Sequence, residues 1–269
     1  MELNAIVTQR IEVAPGLIIL QLKPEGWELP DFIPGQFAVL GLPGSSERVR
    51  YSDIEDEKPE NEKMIKRAYS IASSSSEKEY VEFYVTLVRS GALTPRLFSL
   101  KVGDKLWMNS KFTGMFTLSD IKEEYKNVVL LSTGTGLAPY MSMVRTELEC
   151  GKGRKFAVIH GARHSWDLGY RSELVTMERI CPDFSYVPII SRPDDEPTAW
   201  QGLTGYVQDL LSGDNVKELF GFEPSPEDTH VFLCGNPGMI EKAMIKLEAD
   251  GYREHTKKIS GQLHVEKYW

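Results

Sequence analysis

Residues 127–144 read "NVVLLSTGTGLAPYMSMV", and they decide what kind of chain this is. Val128–Leu131 form an unbroken apolar run, the mark of a strand buried on both faces of a parallel sheet. Two glycines follow, Gly134 and Gly136, which permit a tight turn and a close backbone approach, and Pro139 suits the first turn of a helix. Strand, glycine turn and helix start leave backbone amides facing outward, a cradle that suits a diphosphate. The spacing is G-x-G-x-x-P and lacks the third glycine of the usual dinucleotide fingerprint, so the same residues also fit a plain strand-to-helix turn. Thr133, Gly134, Thr135 and Gly136 are the candidate binding positions.

The pattern continues downstream. "KFAVIHGA" (155–162), "FSYVPIIS" (184–191) and "HVFLCG" (230–235) are apolar strand candidates, and Pro139–Cys150 and Pro237–Asp250 read as helices. Apolar strands alternating with helices imply a parallel sheet covered on both faces. Upstream the character differs. "LNAIVTQRIEV", "LIILQLKP", "QFAVLGL", "AYSIAS" and "VEFYVTLV" are short runs rich in β-branched and aromatic residues, punctuated by Gly and Pro. They predict a closed barrel or sandwich. A short helix is expected at Leu93–Leu100, with Thr94 as its cap and Pro95 in its first turn. The charged stretch from Gly44 to Lys66 reads as a long solvated loop inserted in the barrel. The fold class is therefore two-domain: an N-terminal antiparallel β-barrel over 1–118, then a C-terminal α/β parallel-sheet dinucleotide-binding domain over 119–269.

Composition narrows the function. A net charge of −8 over 269 residues argues against non-specific nucleic-acid binding. No run of about 18 apolar residues marks a membrane span, and no basic-then-apolar leader is visible, so a cytoplasmic protein is expected. Cys150, Cys181 and Cys234 are odd in number and far apart in sequence, which makes a disulfide framework unexpected and offers no zinc or iron–sulfur pair. His160 and His164 in "HGARH" mimic a metal pair, but they follow a strand-like run with Gly161 between them, so no metal is expected there. Redox chemistry in such a chain needs an organic cofactor.

Four further stretches carry chemistry. In "KRAYSIAS", strand alternation puts Arg67 and Tyr69 on one face and Ser70 on the other, which suits an anion at Arg67 and a ring over Tyr69; an ordinary amphipathic strand reads the same way. "LVRSGALTPRL" runs a glycine turn into a helix, so the amides of Gly91, Ala92, Leu93 and Thr94 make a second anion cradle or a simple helix start. "FLCGNPGMIEKA" places Cys234 and Gly235 at a strand's carboxyl end, where parallel sheets bind ligands, although a buried cysteine is also a small apolar filler. Finally, the chain closes on "HVEKYW", with two large aromatics where chain ends are usually polar.

The order R-A-Y-S, G-A-L-T-P-R-L, T-G-T-G-L-A-P, C-G-N-P and a terminal Tyr-Trp resembles the ferredoxin/flavodoxin–NADP⁺ reductase family of bacterial type, over nearly the whole chain. The resemblance implies an FAD-binding barrel followed by an NADP-binding α/β domain. By it, Arg67 meets the FAD phosphate, Tyr69 packs on the isoalloxazine ring, Ser70 faces its N5 atom, and Ala68 between them is a further cofactor-binding position. Gly91, Ala92, Leu93 and Thr94 contact the FAD diphosphate. Thr133, Gly134, Thr135 and Gly136 receive the NADP diphosphate. Cys234 and Gly235 lie beside the nicotinamide, and Tyr268 and Trp269 cover the flavin and the adenine. Arg163 and Arg192 match two of the three arginines that the family places around the 2′-phosphate, while "LTGY" has Tyr206 where the third is expected.

The implied activity is an FAD-dependent oxidoreductase, with Ser70, Cys234 and Tyr268 nearest the chemistry, working as a monomer with NADPH/NADP⁺ and with ferredoxin or flavodoxin as a separate protein. Arg89, Arg96, Lys101 and Lys105 are the candidate basic patch for that carrier. Two alternatives stay open: an NADH-dependent electron-transfer subunit of a multicomponent oxygenase, and a non-catalytic flavin- or nucleotide-binding regulator.

Overall fold

The computed structural model describes residues 2–55, 59–122, 125–212 and 215–267. The terminal Tyr268 and Trp269 lie outside the described residues. The chain divides into two compact units, Met1–Thr117 with Met141–Thr146, and Leu118–Tyr140 with Glu147–Trp269.

The first unit is a six-stranded antiparallel sheet built from β1 (Ala5–Ala14), β2 (Leu17–Pro24), β3 (Phe37–Pro43), β4 (Met64–Ser70), β5 (Val81–Thr86) and β6 (Lys105–Met108), in the order β4-β3-β6-β1-β2-β5. A bridge between Ile71, just past β4, and Phe83 of β5 joins the two outer strands and closes the sheet on itself. Closure removes the open edges that such a sheet otherwise exposes. Side chains alternate across the strands, so Ile18, Leu20 and Leu22 of β2 meet Leu40, Val81, Phe83, Leu97 and Met108 inside. Each such burial contributes about 1.5–3 kcal/mol. The short helix α1 spans Thr94–Ser99, but Thr94 does not cap it. The residue before it, Leu93, stands at the cap without a side-chain bond, and the Thr94 hydroxyl instead bridges Val88 N and Val88 O (2.9 and 3.1 Å), closing the loop between β5 and α1.

The second unit holds a six-stranded parallel sheet, β7 (Asn127–Thr133), β8 (Lys155–Ala162), β9 (Phe184–Ile190), β10 (Leu203–Thr204), β11 (Thr229–Gly235) and β12 (Leu263–Lys267), in the order β10-β9-β8-β7-β11-β12. Its helices are α2 (Ala138–Glu147), α3 (Arg171–Ile180), α4 (Val216–Phe220) and α5 (Pro237–Ala249). The central strands are apolar end to end because both faces are covered: Val129, Leu131, Ala157, Ile159, Val231 and Leu233 share one cluster with Ile240 and Ala243 of α5. Strand order reverses at β7, with β8 on one side and β11 on the other, so the carboxyl ends of β7 and β11 flank the switch point where open α/β sheets bind ligands.

One expectation fails here. Cys150 and Cys181 form a disulfide, with their Cα atoms 5.4 Å apart at a sequence separation of 31. They follow the ends of α2 and α3, whose strands β8 and β9 are neighbours, so separation in sequence is not separation in space. Cys234 is not part of the bridge and is fully buried. No helix among the described residues is long and apolar enough to cross a membrane.

Three buried histidines set a pH dependence. Burial pushes His160 and His230 down to about 4 and His264 to about 3, below the ordinary 6.5; for His264 the neighbouring His230 and His255 push the same way. His230 Nδ1 lies 2.8 Å from His264 Nε2, a hydrogen bond in which one nitrogen carries the proton and the other must lack it, so the two rings cannot both be charged. The unfolded chain therefore takes up protons first as pH falls. This stability is complete above about pH 7 and is lost as pH falls from about 6.5 toward 4, at about 1.4 kcal/mol per pH unit for each proton taken up. The melting temperature is expected to fall steadily between pH 7 and 5; a flat profile contradicts the neutral cluster.

Candidate functional site

Each unit carries its own candidate site. In the first, β4 presents Arg67 and Ala68 exposed, Tyr69 half-buried and Ser70 buried, so burial rises toward the strand's carboxyl end. Arg67 is turned to solvent, with its guanidinium donating to the Lys66 carbonyl (2.7 Å). Burial pushes the Tyr69 hydroxyl above its ordinary range, with the Arg67 charge opposing, so it stays a neutral phenol. Between β5 and α1 the chain turns at Gly91. The amides of Ala92, Leu93 and Thr94 donate to no carbonyl or side chain among the described residues, while Gly91 N is used by the Val88 carbonyl (2.9 Å). Unmated amides in this loop, and an exposed guanidinium on β4 of the same unit, fit an anionic cofactor such as FAD.

The same region corrects two expectations. The inserted stretch between β3 and β4 is not simply solvated: Arg48 and Glu55 are mostly buried, at 15% and 12% side-chain exposure, and join Arg96. Arg96 is thereby removed from the candidate carrier patch. Its side chain is 2% exposed and its two Nη atoms meet the two Glu55 oxygens at 2.7 and 3.0 Å. Of the remaining three, Arg89 faces Asp53 and Lys105 faces Glu25 in exposed ion pairs.

In the second unit the turn after β7 is a 3₁₀ segment, Gly134–Leu137, running into α2. Gly134 has φ +55°, and a side chain there would meet nothing within 4 Å, so its outer side is open. Gly136 is the opposite case. A Cβ there would lie 2.4 Å from the Cys234 carbonyl oxygen, and one on Gly235 (φ +131°) would lie 2.3 Å from Thr133 Oγ1. Two adjacent strand ends thus touch through glycine. Thr133 Oγ1 accepts from Asn236 N (2.8 Å), and the Asn236 side chain caps α5 by accepting from Gly238 N and Met239 N (2.9 and 3.2 Å). The Asn236-Pro237 pair at the strand end marks this helix start in the sequence, and the structure adds the cap itself. Thr133, Gly134, Thr135, Gly136, Cys234 and Gly235 are brought together, with the Cys234 side chain wholly inside. An open glycine turn at the switch point of a parallel sheet fits a dinucleotide.

Arg163 and Arg192 are exposed and follow the adjacent strands β8 and β9, where Arg192 N donates to the Arg163 carbonyl (2.9 Å). Tyr206, 60% exposed, follows β10 next along the same edge. Carboxylates stand here too, but they are engaged: His164 lies 3.0 Å from Asp167 and 3.2 Å from Asp195, and Glu196 accepts from Ser165 N and Oγ (2.7 and 2.6 Å).

An antiparallel closed sheet followed by a parallel sheet with a glycine cradle defines a two-domain flavin- and nicotinamide-nucleotide oxidoreductase. Family profiles agree: the oxidoreductase FAD-binding domain matches residues 40–114 and the oxidoreductase NAD-binding domain residues 130–244. The chain is 31% identical, over 88% of its length and 88% of the relative's, to the flavodoxin/ferredoxin–NADP reductase of Buchnera aphidicola subsp. Baizongia pistaciae. It is also 30% identical, over 91% of its length, to the phenol 2-monooxygenase reductase component of a Pseudomonas species, of which it spans 61%. Among solved structures, a ferredoxin NADP⁺ reductase from Neisseria gonorrhoeae with bound FAD and NADP superposes with TM-score 0.81 at 23% identity, covering 99% of this chain and 98% of that one. The chain belongs to the flavodoxin/ferredoxin–NADP reductase family.

Gly235→Ala is expected to force the ends of β7 and β11 apart. Urea unfolding followed by circular dichroism should show a loss of about 2 kcal/mol or more, from positive-φ strain plus the clash. Wild-type stability would contradict the close approach.

Proposed function

We propose that the protein passes electrons between NADPH and a one-electron carrier, ferredoxin or flavodoxin, through bound FAD. The observation that carries this is the pairing of unmated amides and an exposed guanidinium strand in one unit with an open glycine cradle at the sheet's switch point in the other. Bound FAD would supply the redox chemistry that links a two-electron donor, NADPH, to a one-electron carrier. The chain's own work is binding, orientation and electrostatics. Arg67 and the amides of Ala92, Leu93 and Thr94 hold the anionic end of FAD, with Gly91 forming the turn. Ala68 and Tyr69 line its ring, and Ser70 offers a hydroxyl to the N5 edge. Thr133, Gly134, Thr135 and Gly136 receive the NADPH diphosphate, and Cys234 with Gly235 shapes the nicotinamide's place.

Arg163 and Arg192 hold the 2′-phosphate that distinguishes NADPH from NADH. A guanidinium offers the two-pronged geometry that phosphate accepts. Tyr206 at the third position favours a second reading, an NADH-using reductase component. The two are separated by comparing kcat/KM for the two nucleotides. NADPH is expected to be preferred, and Arg192→Ala is expected to cut that preference about tenfold, the loss of about 1.4 kcal/mol. Equal values for the wild-type protein would contradict the assignment of both arginines.

A further inference from the structure

The insert between β3 and β4 grips the segment that follows β5. Val49 N donates to the Pro95 carbonyl and Asp53 N to the Arg89 carbonyl (both 3.0 Å), while Ser99 Oγ donates to the Glu47 carbonyl (2.7 Å). Two guanidiniums complete the grip. Arg48 donates to the carbonyls of Gly91 (3.0 Å), Asp53 (2.8 Å) and Arg89 (3.3 Å), and Arg96 donates to those of Ala92 (2.6 Å) and Gly44 (2.7 Å). Glu55 lies between them, its Oε1 accepting from Arg48 (2.9 Å) and Arg96 (2.7 Å), its Oε2 from Arg96 (3.0 Å). The hydrogen bonds from Arg96 hold the Glu55 carboxyl below the ordinary carboxylate range, so it is ionised.

A trans peptide is a rigid plane whose N–H points opposite to its C=O, and the described residues contain no cis peptide. Fixing the Gly91 carbonyl on Arg48 therefore aims the Ala92 amide to the other side. Fixing the Ala92 carbonyl on Arg96 does the same for the Leu93 amide. These are two of the amides that have no acceptor among the described residues. Two guanidiniums and one carboxylate also leave a net positive charge behind them.

We infer that Glu55, by pinning Arg48 and Arg96, is a positioning residue that aims the Ala92 and Leu93 amides at the FAD diphosphate; the inference rests on the reading of Gly91–Thr94 as the FAD cradle. The insert is thus part of the cofactor site, acting from behind through peptide planes and touching no ligand itself. Charge-assisted hydrogen bonds to both arginines make the arrangement stiff, so the amides need little reorganisation when an anion arrives.

The test compares FAD with riboflavin, which has the flavin ring but no phosphate. Flavin is stripped from the full chain and rebound, with affinities read from flavin fluorescence, for the wild type, Glu55→Gln and the milder Arg48→Lys. Both variants are expected to bind FAD at least tenfold more weakly while riboflavin affinity stays within about twofold. In the wild type, the backbone amide resonances of Ala92 and Leu93 are expected to shift on adding FAD and to stay in place with riboflavin. Variants that bind FAD like the wild type overturn the inference, as do variants that lose FAD and riboflavin alike, since that marks a general brace. Wild-type amides that ignore FAD overturn the cradle reading, and the inference falls with it.

Discussion

The second unit depends on one contact: the ends of β7 and β11 meet backbone to backbone, Gly136 against the Cys234 carbonyl and Gly235 against Thr133. No residue with a Cβ fits at either position without moving a strand, since Cβ atoms essentially never approach other atoms within 3 Å. The contact lies where strand order reverses, so it sets the floor of the crevice in which a parallel sheet binds ligands. Thr133 then holds Asn236 in place, and Asn236 starts α5. One tight approach thereby links a strand end, a turn and a helix start, and leaves Gly134 facing open space.

The first unit answers the same need by different means. Its cradle is not shaped by a glycine contact but by buried charge. Arg96, almost without exposure, is held by Glu55 and by two carbonyls. A buried pair is weak evidence for stability, because desolvation offsets most of the attraction, yet removing one partner costs about 3–5 kcal/mol. Such a cluster is better understood as fixing a conformation. Here the conformation fixed is that of the segment after β5, where the two arginines hold the carbonyls of Arg89, Gly91 and Ala92.

Much of this was legible in the sequence. The apolar run at Val128–Leu131 and the glycine turn after it declare a parallel sheet and its ligand end, because burial on both faces leaves no room for polar alternation. The run containing Arg67, Tyr69 and Ser70 declared a strand, and β4 spans it. What escaped depends on long-range geometry. Glu55 sits in a charge-rich stretch that any periodicity reading treats as solvated, and only its partners 7 and 41 residues away reveal its role. Arg96 read as a surface cation for the same reason. Cys150 and Cys181 looked unrelated until adjacent strands brought the ends of α2 and α3 together. The short strands β6, β10 and β12, two to five residues long, hold too little pattern to declare themselves.

The protein passes electrons between NADPH, which gives them as a pair, and a carrier that takes them one at a time. The most direct measurement is an anaerobic count of carrier molecules reduced by the FAD-loaded protein per NADPH consumed, with ferredoxin or flavodoxin in excess. Electron balance gives about two carriers for each NADPH, each taking one electron. NADPH oxidation that leaves both carriers oxidised, or a count near one, would contradict it.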